Sequence, residues 1–363
     1  MNIQKELTKK EILNDPYNYT FEEMTKILGE EQTTSLFSSL YKNKSGKKYA
    51  TIKVREVLKG GDTNKYLYEL SDGKCIETVC IKRRDGSTAC ISTEVGCPVG
   101  CVFCESGRNG LIRNLTASEI VQQVIMLDEK INRIVVMGMG EPLFNYDNLI
   151  KALHILRDRR GLDFPTDGIT ISTAAPIPQL KKFREEHMKL QLTISLHATT
   201  QETRNKIMPN MSKYNIQDVV NQALEYSVRH NRKVVMAYLL LQGINDKPSD
   251  VHRLAKWFAG KNVMVNILEY NKTSNIGINK PIKEKMLEFK RRLEDAGVEV
   301  SMRISHGGNI KAACGQLAGK FNKKNIRTNK LSSNFKNKNK NKNNNKNNKA
   351  SGKKLNKNNK SFK

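Results

Sequence analysis

Three cysteines lie within eight residues, at Cys97, Cys101 and Cys104, with the spacing Cys-x3-Cys-x2-Cys. Thiolates bind soft metal centres, and closely spaced cysteines commonly hold iron–sulfur clusters. Three sulfur ligands, not four, indicate a four-iron cluster with one iron left open for a substrate. Two alternatives stay open: a zinc site, which needs four ligands although the nearest histidine is His154, and three buried cysteines that act as small apolar side chains.

Two further cysteines lie in settings that could serve chemistry. Cys90 precedes the triplet by seven residues, and Cys314 lies in the small-residue segment 312–319. Small neighbours allow another group to approach a thiol closely. The alternative for both is a buried small hydrophobic residue, which is the usual place of a lone cysteine. We interpret the other two cysteines, Cys75 and Cys80, as structural.

The elements that must position these residues follow from the pattern of residues 116–303. Apolar runs of strand length alternate with amphipathic runs of helix length, which indicates parallel strands with right-handed crossovers. The fold class is therefore α/β, as a partial (β/α)6 barrel or an open α/β sheet. The predicted strands are 133–137, 168–172, 190–195, 233–239, 263–268 and 298–303, and the predicted helices are 117–129, 145–156, 177–187, 216–230, 248–260 and 282–296.

Polar or glycine residues follow the carboxyl end of each predicted strand, where the active sites of parallel barrels converge. Gly138 and Gly140 would let a ligand approach the backbone, and Glu141 offers a carboxylate for an ammonium group. A tight turn with a solvated acid is the alternative. His197 is either a ligand contact or a satisfied core histidine. The other candidates at these strand ends are Ser172, Ser195, Leu196 and Asn271.

The rest of the chain is divided by composition. Thr20 and Glu23 predict a capping box in an N-terminal helix, and short β-branched runs separated by glycine-containing turns predict a β-meander. The C-terminal stretch is rich in Asn and Lys and has too few apolar residues to fold. The predicted segments are a helical region at 1–45, the meander at 46–86, the core at 87–320 and a disordered tail at 321–363.

The chain is strongly basic, with a formal net charge of +27. Lys320 to Lys363 contain sixteen Lys and Arg and no acidic residue, which leaves +11 on the rest. Both parts favour a polyanionic partner, nucleic acid above all, over a merely solvated basic surface. The charged N-terminus predicts no secretory leader, and no apolar run reaches membrane-span length, so a reducing, cytoplasmic location is expected.

The sequence resembles the RlmN/Cfr family of radical S-adenosylmethionine (SAM) adenine methyltransferases over about two-thirds of the chain, from Glu77 to Gly319. The triplet alone is typical of the whole radical SAM superfamily. Cys90 together with the segment Ala312–Gly319 is the specific part. The matching stretches are Ile76–Val79, Cys90–Cys104, Arg113–Thr116 with Ser118–Ile120, Met137–Pro142, Ile171–Thr173, Ser195–His197 and Ala312–Gly319.

The resemblance implies a radical SAM barrel with one [4Fe–4S] cluster on Cys97, Cys101 and Cys104. It implies that one SAM methylates Cys314, that a second SAM is cleaved to a radical, and that the carbon is passed to an adenine of RNA. Glu77 is then the proton acceptor, and Cys90 releases the product through a transient disulfide with Cys314. The implied SAM contacts are Gly140, Glu141, Ser172, Ser195, Leu196, His197 and Asn271.

The implied substrate is 23S ribosomal RNA, with transfer RNA as a second possibility. Pro142 and Ala198 resemble the branch that methylates C2 more than the branch that methylates C8. An electron donor such as flavodoxin or ferredoxin and a monomeric state are expected, without a membrane partner. The alternatives are a radical SAM enzyme with another substrate and a non-catalytic, metal-containing RNA-binding protein.

Overall fold

A ten-stranded sheet forms the centre of the part that the structure describes. The structure is a computed structural model that describes residues 8–42, 44–274, 277–303 and 307–318. The predicted tail at 321–363 and Gly319 lie outside these residues. The strands are β1 (Lys53–Gly60), β2 (Thr63–Glu69), β3 (Cys75–Ile81), β4 (Ser87–Cys90), β5 (Glu94–Gly96), β6 (Leu111–Asn114), β7 (Ile131–Val136), β8 (Ile169–Thr173), β9 (Gln191–Ser195), β10 (Val234–Leu240), β11 (Val263–Glu269) and β12 (Glu299–Arg303).

The helices lie before the sheet and between its parallel strands. They are α1 (Lys9–Asn14), α2 (Phe21–Leu28), α3 (Glu30–Tyr41), α4 (Ala117–Ile125), α5 (Tyr146–Arg157), α6 (Ile177–Glu185), α7 (Gln201–Ile207), α8 (Ile216–His230), α9 (Pro248–Phe258) and α10 (Lys283–Asp295). Within the described ranges, none of them is long and apolar enough to cross a membrane.

The capping box predicted for the N-terminal region is confirmed at the start of α2. The Thr20 side chain accepts a hydrogen bond from the Glu23 N–H at 3.2 Å, and the Glu23 carboxylate accepts one from the Thr20 N–H at 2.9 Å. Both bonds satisfy N–H groups that have no partner within the helix. The helix then buries Phe21, Met24 and Leu28, each contributing about 1.5–3 kcal/mol of hydrophobic stabilisation.

The α/β fold class is confirmed, because strands β7 to β12 are parallel neighbours in chain order. All six predicted strands of this half are present, with ends displaced by at most two residues. The sheet order is β1-β2-β3-β4-β7-β8-β9-β10-β11-β12, open at both ends among the described residues. Six helix-connected parallel strands that do not close agree with a partial barrel.

The meander and the parallel half are one hydrogen-bonded sheet. The four-residue strand β4 pairs antiparallel with β3 on one side and parallel with β7 on the other. The sheet therefore runs without a break across the predicted boundary between 46–86 and 87–320. The division of the chain into four segments stays a prediction.

Helix α7 and the strand pair β5–β6 were not predicted from the sequence. Helix α7 has one apolar residue, Ile207, in its seven positions, so it lacks the period of an amphipathic helix. Strands β5 and β6 have three and four residues, and they form a separate antiparallel pair. Both elements matter for function, because they hold the three-cysteine stretch.

Candidate active site

The strand register places the predicted catalytic residues of the meander on one face of the sheet. Directly paired residues of neighbouring strands point to the same face, and so do residues two apart along a strand. Val79 of β3 pairs with Cys90 of β4. Glu77, two residues before Val79, therefore shares this face with Cys90.

The same face continues into the parallel half. Cys90 pairs with Val135 of β7, and Val135 pairs with Thr170 of β8. Ser172 lies two residues after Thr170 and pairs with Thr193 of β9, which Ser195 follows by two residues. We call the face that carries Glu77, Cys90, Ser172 and Ser195 the site face.

The three-cysteine stretch forms a loop between β5 and β6, which we call the cysteine loop (residues 97–110). The Cys97 N–H donates to the Gly110 carbonyl at 3.1 Å and closes the base of the loop. Inside the loop, the Cys104 N–H donates to the Cys101 carbonyl at 3.1 Å. The short antiparallel pair thus fixes both ends of the segment that bears the thiols.

The segment around α7 holds the cysteine loop from the other side. The Val102 N–H donates to the carbonyl of Ile207 at 3.0 Å, at the end of the helix. The Asn210 side-chain amide donates to the Pro98 carbonyl at 2.7 Å. A helix that sequence periodicity misses is therefore one of the two supports of the loop.

The donor set of the loop fits an iron–sulfur cluster. Burial raises the pKa of all three thiols, and the charges of Cys101 and Cys104 raise the pKa of Cys97 further, so the three groups interact. Within the described ranges, no three His, Cys, Asp or Glu side chains could hold a single metal ion. Sulfurs that bind three different irons of one cluster do not need to meet at one point.

Gly138 and Gly140 are required by the protein's own chain. A Cβ atom on Gly138 would lie 2.7 Å from the Ile91 carbonyl oxygen. A Cβ on Gly140, whose φ is +112°, would lie 2.8 Å from the Glu94 Cβ. The loop after β7 therefore packs directly on residues 91–94, which by itself requires both glycines; the ligand access that the sequence suggested stays a prediction.

We expect Gly140→Ala to lower the free energy of unfolding by about 3 kcal/mol, of which roughly 1–2 kcal/mol comes from the positive φ and a similar amount from overpacking. Chemical denaturation of the cofactor-free protein measures it. Gly110→Ala is the matched control, because Gly110 also has a positive φ, +66°, but no atom within 4 Å of the added Cβ. Equal losses in the two variants would contradict the packing argument.

Glu141 is a buried carboxylate that other groups already hold. It accepts hydrogen bonds from the Thr173 hydroxyl at 2.5 Å, the Ala174 N–H at 2.7 Å and the Leu143 N–H at 3.1 Å. Burial raises its pKa to about 7, and burial raises the pKa of the adjoining Glu94 to about 8. The charge of Arg204 opposes this rise at Glu141 without cancelling it, and the ammonium group of a ligand would oppose it further.

Arg204 on α7 is a functional candidate that the sequence did not reveal. It is fully buried, its Nη2 donates to the Ala174 carbonyl at 2.7 Å, and its Nε and Nη1 have no hydrogen-bond partner in the described part. Burial lowers its pKa to about 10, against the opposing charges of Cys101 and Glu141. A buried acid beside a buried guanidinium with unsatisfied donors complements an amino-acid zwitterion such as the methionine part of SAM.

His197 lies at the end of β9 in a left-handed conformation, with φ of +53°. Its Nδ1 accepts a hydrogen bond from the Leu239 N–H at 3.1 Å, and its ring contacts Phe103 of the cysteine loop at 5.1 Å between centroids. Burial lowers its pKa to about 3, so the ring is neutral. Leu196 is fully buried, and its N–H donates to the Ala237 carbonyl at 3.1 Å, so its contact with SAM stays a prediction.

The C-terminal segment Ala312–Ala318, which carries Cys314, lies against the cysteine loop. The Glu105 N–H donates to the Gly315 carbonyl at 2.8 Å, and the Ser106 hydroxyl donates to the Leu317 carbonyl at 2.6 Å. Asn271 donates to the carbonyl of Cys314 at 3.4 Å. The Cys314 side chain is exposed, and the seven cysteines, all within the described ranges, form no disulfide.

The same segment contacts Glu77 on the site face. The Ala318 N–H donates to Glu77 Oε2 at 2.8 Å. Lys65 Nζ lies 3.3 Å from Glu77 Oε1, and both side chains are almost fully buried. The structure thus brings together the predicted base, the segment of the predicted methyl-carrying cysteine and the cysteine loop.

The fold and the cysteine loop are those of a radical SAM enzyme. Residues 91–257 match the radical SAM superfamily. The crystal structure of a radical SAM methyltransferase from Sphaerobacter thermophilus superposes with a TM-score of 0.79 at 29% identity, covering 84% of this chain and 98% of that chain.

Similar proteins with curated names identify the family within the radical SAM enzymes. A probable RNA methyltransferase of Rhodopseudomonas palustris is 49% identical over 258 residues, which cover 71% of this chain and 72% of the relative. A probable dual-specificity RNA methyltransferase RlmN of Pseudothermotoga lettingae is 44% identical over 259 residues, 70% of this chain and 75% of the relative. This chain belongs to the RlmN family of radical SAM RNA methyltransferases.

Proposed function

We propose that this enzyme methylates a ring carbon of adenine in RNA, at C2, with 23S ribosomal RNA as its first substrate. The name of the P. lettingae relative, a dual-specificity RNA methyltransferase, supports a second RNA substrate, and transfer RNA is our candidate. The net charge of +27 supports a polyanionic partner. Pro142 and Ala198, by their resemblance to the C2 branch, support C2 over C8.

One observation carries the proposal: the Cys314 segment is hydrogen-bonded to the cysteine loop through Gly315 and Leu317 and to Glu77 through Ala318. A thiol that first carries a methyl group and then meets a radical needs to lie near both the cysteine loop and the proton acceptor. The exposed side chain of Cys314 is also open to an RNA base.

Two cofactors complete the proposed site. Cys97, Cys101 and Cys104 would hold one [4Fe–4S] cluster, which together with SAM supplies the radical chemistry that removes a hydrogen atom from an unreactive methyl group. A flavodoxin or ferredoxin would provide electrons, and we expect a monomer that works in the cytoplasm. The SAM contacts would be Gly140, Glu141, Ser172, Ser195, Leu196, His197 and Asn271.

The protein's own residues carry the transferred carbon. The Cys314 thiolate would take a methyl group from one SAM by displacement, with S-adenosylhomocysteine as the leaving group. After this methyl group has given one hydrogen atom to the radical that the cofactors supply, its methylene carbon would bond to the adenine ring. Glu77 then accepts the ring proton. The Cys90 thiolate attacks the Cys314 sulfur, the carbon–sulfur bond breaks, and the carbon takes up a proton to become the methyl product. One electron returns to the redox partner, and reduction of the Cys90–Cys314 disulfide restores both thiols.

The proposal is tested by comparing the RNA of cells that contain this protein with the RNA of cells that lack it. Nucleoside mass spectrometry is expected to show one methyladenosine only when the protein is present, and the retention time of a C2-methyl standard identifies the carbon. Protein reconstituted without oxygen is expected to cleave SAM under reductant. Cleavage without any change in the cell's RNA would contradict RNA as the substrate.

We expect the tail to contribute affinity for RNA but no chemistry. Its lysines release counterions when they neutralise phosphates, which steepens the salt dependence of binding. Truncation after Phe321 should leave turnover at saturating RNA unchanged, weaken binding, and reduce the slope of log Kd against log salt. Replacing the tail by a Gly/Ser linker of equal length is the control. An unchanged slope would show that the tail does not bind RNA.

A further inference from the structure

Lys65 is a lysine inside the sheet, with a side chain only 4% exposed. Its Nζ lies 3.3 Å from Glu77 Oε1 and donates to the Lys311 carbonyl at 3.1 Å. A buried ammonium group is stable only when it is paired and hydrogen-bonded. Lys65 therefore contacts both Glu77, the proposed base, and the backbone carbonyl of Lys311, which directly precedes the segment Ala312–Ala318.

The backbone register fixes this contact. Lys65 of β2 pairs directly with Val79 of β3, and Val79 pairs with Cys90 of β4. Lys65 therefore points to the site face, and Glu77 is its diagonal neighbour on β3. The register therefore keeps the Cβ atoms of Lys65 and Glu77 on adjacent strands and on the same face of the sheet.

Among the described residues, Lys65 is the cation that lies within ion-pair distance of Glu77. The other hydrogen bond to the Glu77 carboxylate comes from the neutral Ala318 N–H. Glu56 of β1 lines the same small cavity as Lys65 and Glu77 and adds negative charge. The face also carries the thiols of Cys75 and Cys90, and the packed segment carries that of Cys314. Farther along the same face, Glu69 of β2 pairs with Cys75 and forms an ion pair with Arg55 of β1 at 3.3 Å, so this second carboxylate has its own cation.

We propose that Lys65 is a positioning residue that keeps Glu77 ionised and ties it to the C-terminal segment; this inference rests on the proposed role of Glu77 as proton acceptor. Burial favours the neutral form of a carboxyl group, and a nearby ammonium group favours the charged form. Only the charged form can accept the ring proton. Lys65 never touches the RNA base, yet it sets the protonation state on which the step depends.

The direct test is infrared spectroscopy of the cofactor-free protein. Lys65→Met removes the charge and keeps most of the side-chain volume. At neutral pH the difference spectrum of Lys65→Met against the wild-type protein should show additional intensity in the carbonyl stretch of protonated carboxylic acids, beyond the contribution of Glu94 and Glu141, whose pKa values burial raises to about 8 and about 7 in every variant. This additional intensity should be absent from the difference spectrum of Lys65→Met/Glu77→Gln against the wild-type protein. This additional intensity should be lost as the pH rises, because a carboxylic acid gives up its proton to added base. No additional intensity in Lys65→Met would overturn the proposal.

A second measurement follows the RNA–protein adduct in the reconstituted enzyme. In Lys65→Met, adduct at Cys314 should accumulate at pH 6.5 and clear several-fold faster at pH 9, where Glu77 loses its proton. In Glu77→Gln, the adduct should persist at both values. Additional infrared intensity with normal turnover at pH 6.5 would keep the assignment of Lys65 and refute Glu77 as the base.

Lys65→Met leaves an unpaired buried carboxylate, so it could fail to fold. The double variant Lys65→Met/Glu77→Gln removes both charges and therefore distinguishes an effect of charge from an effect of packing. If the double variant folds and Lys65→Met does not, Lys65 is needed because Glu77 is charged, as proposed. If both unfold alike, Lys65 acts through packing alone and the proposal is wrong.

Discussion

Cys90→Ala is expected to stop turnover while the RNA remains covalently attached to the protein through Cys314. The variant keeps Cys314 and Glu77, so the carbon bridge to adenine can form. It lacks the thiolate that attacks the Cys314 sulfur, so the bridge cannot break. Denaturing electrophoresis should show the adduct in near-stoichiometric amount, and mass spectrometry after nuclease digestion should find a nucleotide on the Cys314 peptide.

The controls for this result come from the other cysteines. Cys90→Ala/Cys314→Ala should carry no adduct, because no bridge can start. Cys75→Ala removes a buried thiol two residues before Glu77 on β3 and should turn over normally. A Cys90→Ala protein that turns over normally, with no nucleotide on Cys314, would show that the shared cysteine pattern does not carry this mechanism.

Replacing any one of Cys97, Cys101 and Cys104 by Ala should abolish reductive cleavage of SAM. Two thiolates cannot hold a four-iron cluster with one defined open iron. The iron content, the visible absorbance of the reconstituted protein and the yield of deoxyadenosine should all fall to the level of protein without cluster. The loss should be the same at all three positions.

The matched control is Cys80→Ala, because Cys80 is a fully buried thiol in β3 outside the cysteine loop. It should retain iron and SAM cleavage, with at most a modest loss of stability from the small cavity. Full cluster iron and turnover in Cys101→Ala would refute the assignment of the three ligands.

The parallel half of the sheet was predictable because sequence runs with strand periodicity alternate with runs with helix periodicity. The runs around Ile134 and Val265 are short, apolar and followed by amphipathic helices, so strand type and order follow directly. The capping box at Thr20 was predictable for a similar reason, since two residues three apart determine it.

Contacts between distant segments were not predictable in the same way. The pairing of β4 with both β3 and β7 depends on which strands meet, and a four-residue strand carries no signal of its partners. From the sequence alone, Lys65 would be expected to be an exposed lysine. Only the strand register shows that Glu77 lies beside it. Arg204 was missed likewise, since it is buried on a helix with little apolar periodicity.

The register of the β3–β4 pair determines how far apart the side chains of Glu77 and Cys90 lie. Side chains on a strand emerge alternately on opposite sides, so a one-residue deletion in β4 would turn Cys90 away from Glu77. It would then face α4, where Gln123 accepts a hydrogen bond from Thr78 at 2.7 Å. Substitutions within β4 can leave this geometry intact, whereas a change of its length cannot. We therefore expect relatives that keep the proposed chemistry to differ in length outside β4 and not within it.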